Sequence, residues 1–123
     1  MNKDIKISDA EFEVMKVLWE KSPLTANDII EKLSQKVDWA PNTIRTLVNR
    51  LAKKGVISHR KDGKTFLYHP EISKEKCVEA ETTSFLERLF DGSLTPMLAH
   101  FAKSKGLSQE KYEQLKRLLD EED

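Results

Sequence analysis

The chain is poor in the residues that most specialised chemistries require. Its 123 residues include one cysteine, Cys77, which excludes an intrachain disulfide framework and a Cys-x-x-Cys metal or redox motif. Cys77 reads as a small apolar packing residue. Glycine and proline number four each, too few for a low-complexity or disordered chain. No apolar run approaches the roughly 20 residues of a membrane span. The start, Met1-Asn2-Lys3-Asp4, lacks the apolar stretch of a signal peptide, so the expectation is a cytoplasmic protein without direct membrane insertion. There is no glycine-rich phosphate loop, no G-x-S-x-G and no H-E-x-x-H, and serine, histidine and aspartate stand at no catalytic spacing; the chain does not read as an enzyme and needs no cofactor. His59, His69 and His100 are far apart, with Cys77 between them, whereas a zinc site gathers three or four converging ligands. No metal site is expected.

Charge is absent in sum and present locally. The formal net charge is zero, which taken alone argues weakly against a nucleic-acid partner. Residues 1–72 hold 13 Lys and Arg against 10 Asp and Glu, and residues 73–123 hold 8 against 11. Residues 45–64 carry seven basic side chains and one aspartate. A basic patch within a neutral chain fits a DNA-binding module carried with an acidic partner segment.

The basic patch coincides with a structural pattern. Over residues 41–54, Ile44, Leu47, Val48 and Leu51 recur at i, i+3, i+4 and i+7, which places them on one helix face. The opposite face holds Asn42, Thr43, Arg45, Thr46, Asn49, Arg50 and Lys53, side chains able to hydrogen-bond base edges and phosphates. Pro41 occupies the favoured first helical position and Gly55 supplies the stop. Ala40 is a poor N-cap by side chain. Lys54, Arg60, Lys61 and Lys64 follow. Residues 56–60 and 65–69 are β-suited runs joined through Asp62-Gly63, the favoured dipeptide for a two-residue hairpin turn. Phe66 and Tyr68 share a face and read as wing core.

Two helices precede this one. Ser8 with Glu11 forms a capping box for the first, whose stripe is Phe12, Met15 and Trp19, widened by Val14 and Leu18. Ser22-Pro23 ends it, and Leu24 adds a short strand. Thr25 with Asp28 starts the second, striped by Ala26, Ile29, Ile30, Leu33 and Val37. Helix, helix, helix, hairpin is the order of a winged helix-turn-helix. The expected fold is therefore mainly α with a small β-hairpin wing, the DNA-binding domain occupying residues 1–71.

Residues 72–123 read as three further helices forming a dimerisation region. Ser73 caps the first, whose seam is Val78, Thr82, Phe85 and Leu89, widened by Leu86 and Phe90. Ser93 caps the second, striped by Leu94, Met97, Leu98, Phe101 and Ala102. After Gly106, Ser108 caps the third, with Tyr112, Leu115, Leu118 and Leu119. So short a segment cannot bury these stripes alone, and a second copy of the chain is the expected cover.

Several strings resemble the BlaI/MecI family of penicillinase and methicillin-resistance repressors: Ile7-Ser8-Asp9-Ala10-Glu11 with Trp19, Ala26-Asn27-Asp28-Ile29-Ile30, Trp39 through Leu47, Arg50 through Gly55, Ser84-Phe85-Leu86 with Gly92, and Leu98 through Ala102. The resemblance implies a homodimeric winged-helix repressor of transcription acting in antibiotic resistance. Its third helix would read a palindrome of double-stranded operator DNA with TACA/TGTA-like half-sites, and its C-terminal helices would dimerise. It further implies release by a membrane sensor-protease that responds to β-lactams and cuts an Asn-Phe bond in those helices. Carried over by position, that bond is His100–Phe101, without the asparagine. The family pattern also has lysine after the proline, where this chain has Asn42, a side chain that can read adenine. The related copper repressors carry Cys-x-Cys pairs near the C-terminus, which this chain lacks. A ligand- or metal-responsive winged-helix regulator that is not cut, and a winged helix used for protein–protein contact, remain the alternatives.

Overall fold

Two reciprocal capping boxes start the fold. The computed structural model describes residues 6–121, the side chains of Lys105, Leu119 and Glu121 excepted. Helix α1 (Asp9–Glu20) begins where Ser8 Oγ accepts the Glu11 backbone N–H at 3.1 Å and the Ser8 N–H donates to Glu11 Oε1 at 2.9 Å. Helix α2 (Ala26–Ser34) repeats the device with Thr25 and Asp28, at 3.0 and 3.2 Å. Each box satisfies backbone donors that a helix start otherwise leaves open. Between them, Leu24 makes the expected strand-like contact, bridging Tyr68 on the hairpin.

Helix α3 (Pro41–Lys54) starts without a side-chain cap, and Gly55 closes it at φ 82°. Strands β1 (Ile57–Asp62) and β2 (Thr65–Pro70) pair antiparallel, with Ile57 opposite Pro70 and Asp62 opposite Thr65. The loop is thus Gly63-Lys64, one residue later than the Asp62-Gly63 turn read from the sequence. Gly63 holds φ 66°, and a glycine at the first loop position meets the demand of a type II′ turn as well as Asp-Gly meets type I′.

The core of this part consists of Val14, Met15, Val17 and Leu18 from α1, Ile29 and Leu33 from α2, Ile44, Leu47, Val48 and Leu51 from α3, and Leu24, Val56, Ile57 and Tyr68. The expected stripe of α1 is shifted: Val17 is buried, while Phe12 and Trp19 are half-buried. These two rings meet edge-on at 5.5 Å, and the Trp19 indole N–H donates to the Ile72 carbonyl at 2.9 Å. The polar end of the indole keeps Trp19 at the rim of the core. Val37 lies beyond the end of α2, although it still packs on the core. Phe66 is 44% exposed and so is not wing core.

One carboxylate is buried among these apolar residues. Glu11 is 1% exposed and accepts from Lys54 Nζ at 2.5 Å. Burial alone would raise its pKa; hydrogen bonds from Lys54 and the Ser8 N–H, with the ammonium charge, outweigh burial and hold it below the ordinary 4.5. A depressed folded pKa contributes stability above the unfolded value and loses it as pH falls through the folded one. Glu11→Gln keeps the capping-box reach but not the charge. We expect the variant to lose about 1–3 kcal/mol at pH 7 and to unfold less steeply than the wild type with acid below about 4.5. Urea titrations of both proteins between pH 7 and pH 3 would check this; parallel acid curves would refute it.

The chain divides into two compact units between Ala80 and Glu81. The division falls within helix α4 (Lys74–Phe90), whose Cys77 is buried. Ser73 Oγ caps α4 by accepting the Lys76 N–H at 3.1 Å. Asp91 and Gly92 turn the chain at φ 54° and 81°. Helix α5 (Leu94–Lys105) follows, and Ser93 makes no side-chain cap bond there, contrary to the sequence expectation. Ser108 caps helix α6 (Gln109–Glu121) through the Lys111 N–H at 3.2 Å. Among the described residues, no helix is long and apolar enough to cross a membrane.

Candidate nucleic-acid interface

Helix α3 separates its two faces completely. Ile44, Leu47, Val48 and Leu51 are buried, and Asn42, Thr43, Arg45, Thr46, Asn49, Arg50 and Lys53 are all exposed. Pro41 needs no N–H partner in the first turn, and the Ala40 carbonyl accepts from the Thr43 N–H at 3.0 Å and the Ile44 N–H at 3.3 Å. The buried face locks the rotation of α3, so the polar face is presented as one surface. Thr46 Oγ1 donates to the Asn42 carbonyl at 2.9 Å, which engages its hydroxyl hydrogen and leaves the oxygen able to accept.

Arg45 is held from outside its own helix. One guanidinium nitrogen, Nη2, donates to Asn27 Oδ1 on α2 at 3.1 Å. Asn27 and Arg45 line a cavity of about 170 Å³ with Thr25, Ala26, Thr65, Phe66 and Tyr68. Lys54, which the sequence groups with the basic run, is turned away: its Nζ is bound by Glu11 and by the Lys6 carbonyl at 2.6 Å.

The wing carries Arg60, Lys61 and Lys64, all exposed. They do not form one patch. Cross-strand partners share a face and neighbours along a strand alternate. Lys61, opposite Phe66, therefore lies with His59 and Tyr68, while Arg60, opposite Leu67, lies on the other face. Lys64 sits in the turn. The His59 ring lies 4.4 Å from that of Phe66 and 5.4 Å from that of Tyr68, so an exposed aromatic pair stands beside Lys61. At the base of the wing, His69 Nε2 lies 2.8 Å from Ser58 Oγ and 3.0 Å from Glu71 Oε2, and the Ser58 hydroxyl also meets Glu71. The hydroxyl and then the imidazole hold the Glu71 carboxyl below its ordinary range. Serine and carboxylate share one ring nitrogen, so the carboxylate does not orient the imidazole from its far side as a catalytic triad requires.

The residues expected to dimerise lie on α4, α5 and α6. Val78, Phe85, Leu89, Leu94, Phe101 and Leu118 are exposed, and Leu86, Met97, Leu98 and Leu115 are half-buried; the Leu119 side chain lies outside the described residues. Phe85, Phe90, Met97, Leu98, His100 and Phe101 line an apolar cavity of about 400 Å³. The bond between His100 and Phe101 is intrahelical, and the His100 carbonyl accepts from Ser104 Oγ at 2.9 Å. Among the described residues, no group of three or more His, Cys, Asp and Glu is gathered as a metal site.

Sequence reasoning missed Asn27, the exposure of Phe66 and the diversion of Lys54. The family model described as penicillinase repressor matches residues 7–121. The chain is 41% identical over 121 residues to the penicillinase repressor of Bacillus licheniformis, covering 98% of this chain and 94% of that protein. It is 37% identical over 118 residues to the methicillin resistance regulatory protein MecI of Staphylococcus aureus strain N315, covering 96% of each. A solved structure of the monomeric form of B. licheniformis BlaI, in complex with the blaP half-operator, is similar at a TM-score of 0.53 and 47% identity, covering 61% of this chain and 92% of that one.

Proposed function

The chain belongs to the penicillinase repressor family, and from that membership we propose that this repressor binds a palindromic operator as a homodimer through α3 and the wing. The two-faced character of α3 carries the reading. Thr43, Arg45 and Thr46 lie near its N-terminal part, the part that recognition helices direct to base edges. Asn42, Asn49, Arg50 and Lys53 extend the same exposed face toward bases and phosphates. TACA/TGTA-like half-sites are the sequences to try first, with Asn42 as the place where preference would depart from them.

The wing contacts backbone without reading sequence, Lys64 from the turn and Arg60 and Lys61 from opposite faces. A paired experiment tests both assignments. Arg45→Ala should weaken operator binding by about 1–3 kcal/mol and relax preference at one base pair. Lys64→Gln should weaken binding to every sequence alike and lower the slope of log affinity against log salt by roughly one charge. Equal losses on operator and random DNA for Arg45→Ala would make it a phosphate contact. An unchanged slope for Lys64→Gln would remove the wing from the interface.

For release from DNA the family reading is a cut between His100 and Phe101 by a membrane sensor-protease in a β-lactam-type response. Both residues are exposed, but a bond inside a helix must unfold locally before a protease can take it, so a dedicated protease is required. Release by a ligand without cutting is the second reading. It is favoured by His100 standing where the resembled site has asparagine, and by the apolar cavity this histidine lines. Mass spectrometry of the repressor during induction separates the two.

A further inference from the structure

The hydrogen bond between α2 and α3 at the edge of the polar face has a functional consequence. Arginine carries five N–H donors on a planar fork and a long stem rich in rotamer entropy. A free arginine must be ordered when it meets a base. Here one donor, on Nη2, is given to Asn27 Oδ1 at 3.1 Å, which ties the guanidinium down before DNA arrives while its other donors remain for a base edge or phosphate.

The anchor itself is rigid. Asn27 is the second residue of α2 and lies inside the Thr25–Asp28 capping box. Leu24, one residue before that box, is tied to β2 by paired backbone bonds, Leu24 N–H to the Tyr68 carbonyl at 3.0 Å and Tyr68 N–H to the Leu24 carbonyl at 2.7 Å. Asn27 thus stands on a turn fixed to both α2 and the wing. Both Asn27 and Arg45 are exposed, so their bond contributes little to folding, and a surface pair of this kind acts mainly through orientation.

We propose that Asn27 is a positioning residue for Arg45, holding the guanidinium at the N-terminal turn of α2 and so setting sequence preference at the base pair Arg45 addresses. The proposal rests on the operator-binding reading above. It makes a residue outside the recognition helix a determinant of specificity through preorganisation, which lowers the ordering cost of binding.

A double-mutant cycle on the full-length chain tests it. Affinities of the wild type, Asn27→Ala, Arg45→Ala and the double variant are measured at one salt concentration. Each is measured against the operator, operators substituted one base pair at a time, and random DNA. Asn27→Ala should bind the operator about tenfold more weakly, equivalent to about 1.4 kcal/mol, with random-DNA affinity and unfolding temperature unchanged. Its preference should relax at the base pair where Arg45→Ala relaxes it. The double variant should bind no worse than Arg45→Ala alone, because Asn27 acts through the guanidinium. Additive losses, or equal losses on operator and random DNA, would make Asn27 an independent phosphate contact and overturn the proposal. Undiminished preference in Asn27→Ala would overturn the positioning role alone. A wild-type chain with no preference for any operator would overturn both this proposal and the reading beneath it.

Discussion

A chain ending at Ala80 should bind a full operator about 10²–10⁴-fold more weakly than the intact chain, while its affinity for a single half-site barely changes. The expected loss follows from linkage rather than from contacts. Two half-site modules joined through a dimer turn the second binding event into an intramolecular one, and avidity of this size disappears when the link is removed. The winged part does not need the remainder for its core. Its buried cluster is drawn from residues between Val14 and Tyr68, with Ile72 packed against it. Ending the chain at Ala80 retains Ile72, whose carbonyl receives the Trp19 indole, and buried Cys77. What is removed is the apolar surface of the C-terminal helices, where Leu89 is 58% and Leu118 62% exposed. Exposure of this kind over several helices is what the expected dimer contact requires. Sedimentation velocity should find the shortened chain monomeric and the full chain dimeric. A full-strength dimer from the shortened chain, or an undiminished affinity for the full operator, would overturn this division of labour. A cut between His100 and Phe101 should act by the same arithmetic, without any change to α3.

The parts of this molecule legible in sequence are those decided by neighbours in sequence. Ser8 with Glu11 and Thr25 with Asp28 are three residues apart, and each box formed. The apolar spacing of α3 fixed its buried face, and Gly55 its end. The hairpin was legible as a hairpin, but its turn was displaced by one residue. That displacement matters because register is set by the turn. A loop at Asp62-Gly63 would set Phe66 opposite His59; a loop at Gly63-Lys64 sets it opposite Lys61, two pairs further from the core. The exposure of Phe66 follows. The candidate site shows the same limit. The seven polar positions of α3 could be read from the periodicity alone, and they are exposed. Asn27 could not be read as their neighbour, because its bond to Arg45 spans 18 residues. Nor could Lys54 be taken out of the basic run, because its partner Glu11 lies 43 residues away. Both depend on how α1, α2 and α3 pack, and no local spacing encodes that.

Leu51→Ala should cost about 2–5 kcal/mol of stability and thereby most of the operator binding at physiological temperature, although Leu51 touches no DNA-facing side chain's role. Leu51 is 0% exposed on the inner face of α3. Truncating a buried leucine loses its transfer free energy and leaves a cavity that the surroundings fill only in part. The backbone at this point adds to the demand, since the Leu51 carbonyl accepts the Val56 N–H at 3.2 Å as the chain leaves α3 for the wing. A small unit has only about 5–15 kcal/mol to lose, and each kcal/mol lowers its unfolding temperature by about 4–8 °C. The defect should differ in kind from that of Arg45→Ala. Operator DNA binds only the folded form, so added operator should raise the unfolding temperature of Leu51→Ala and recover its binding on cooling. Arg45→Ala should unfold at the wild-type temperature and stay weak at every temperature. Calorimetry with and without operator distinguishes them. A Leu51→Ala protein as stable as wild type would show that the inner face of α3 does not fix its orientation.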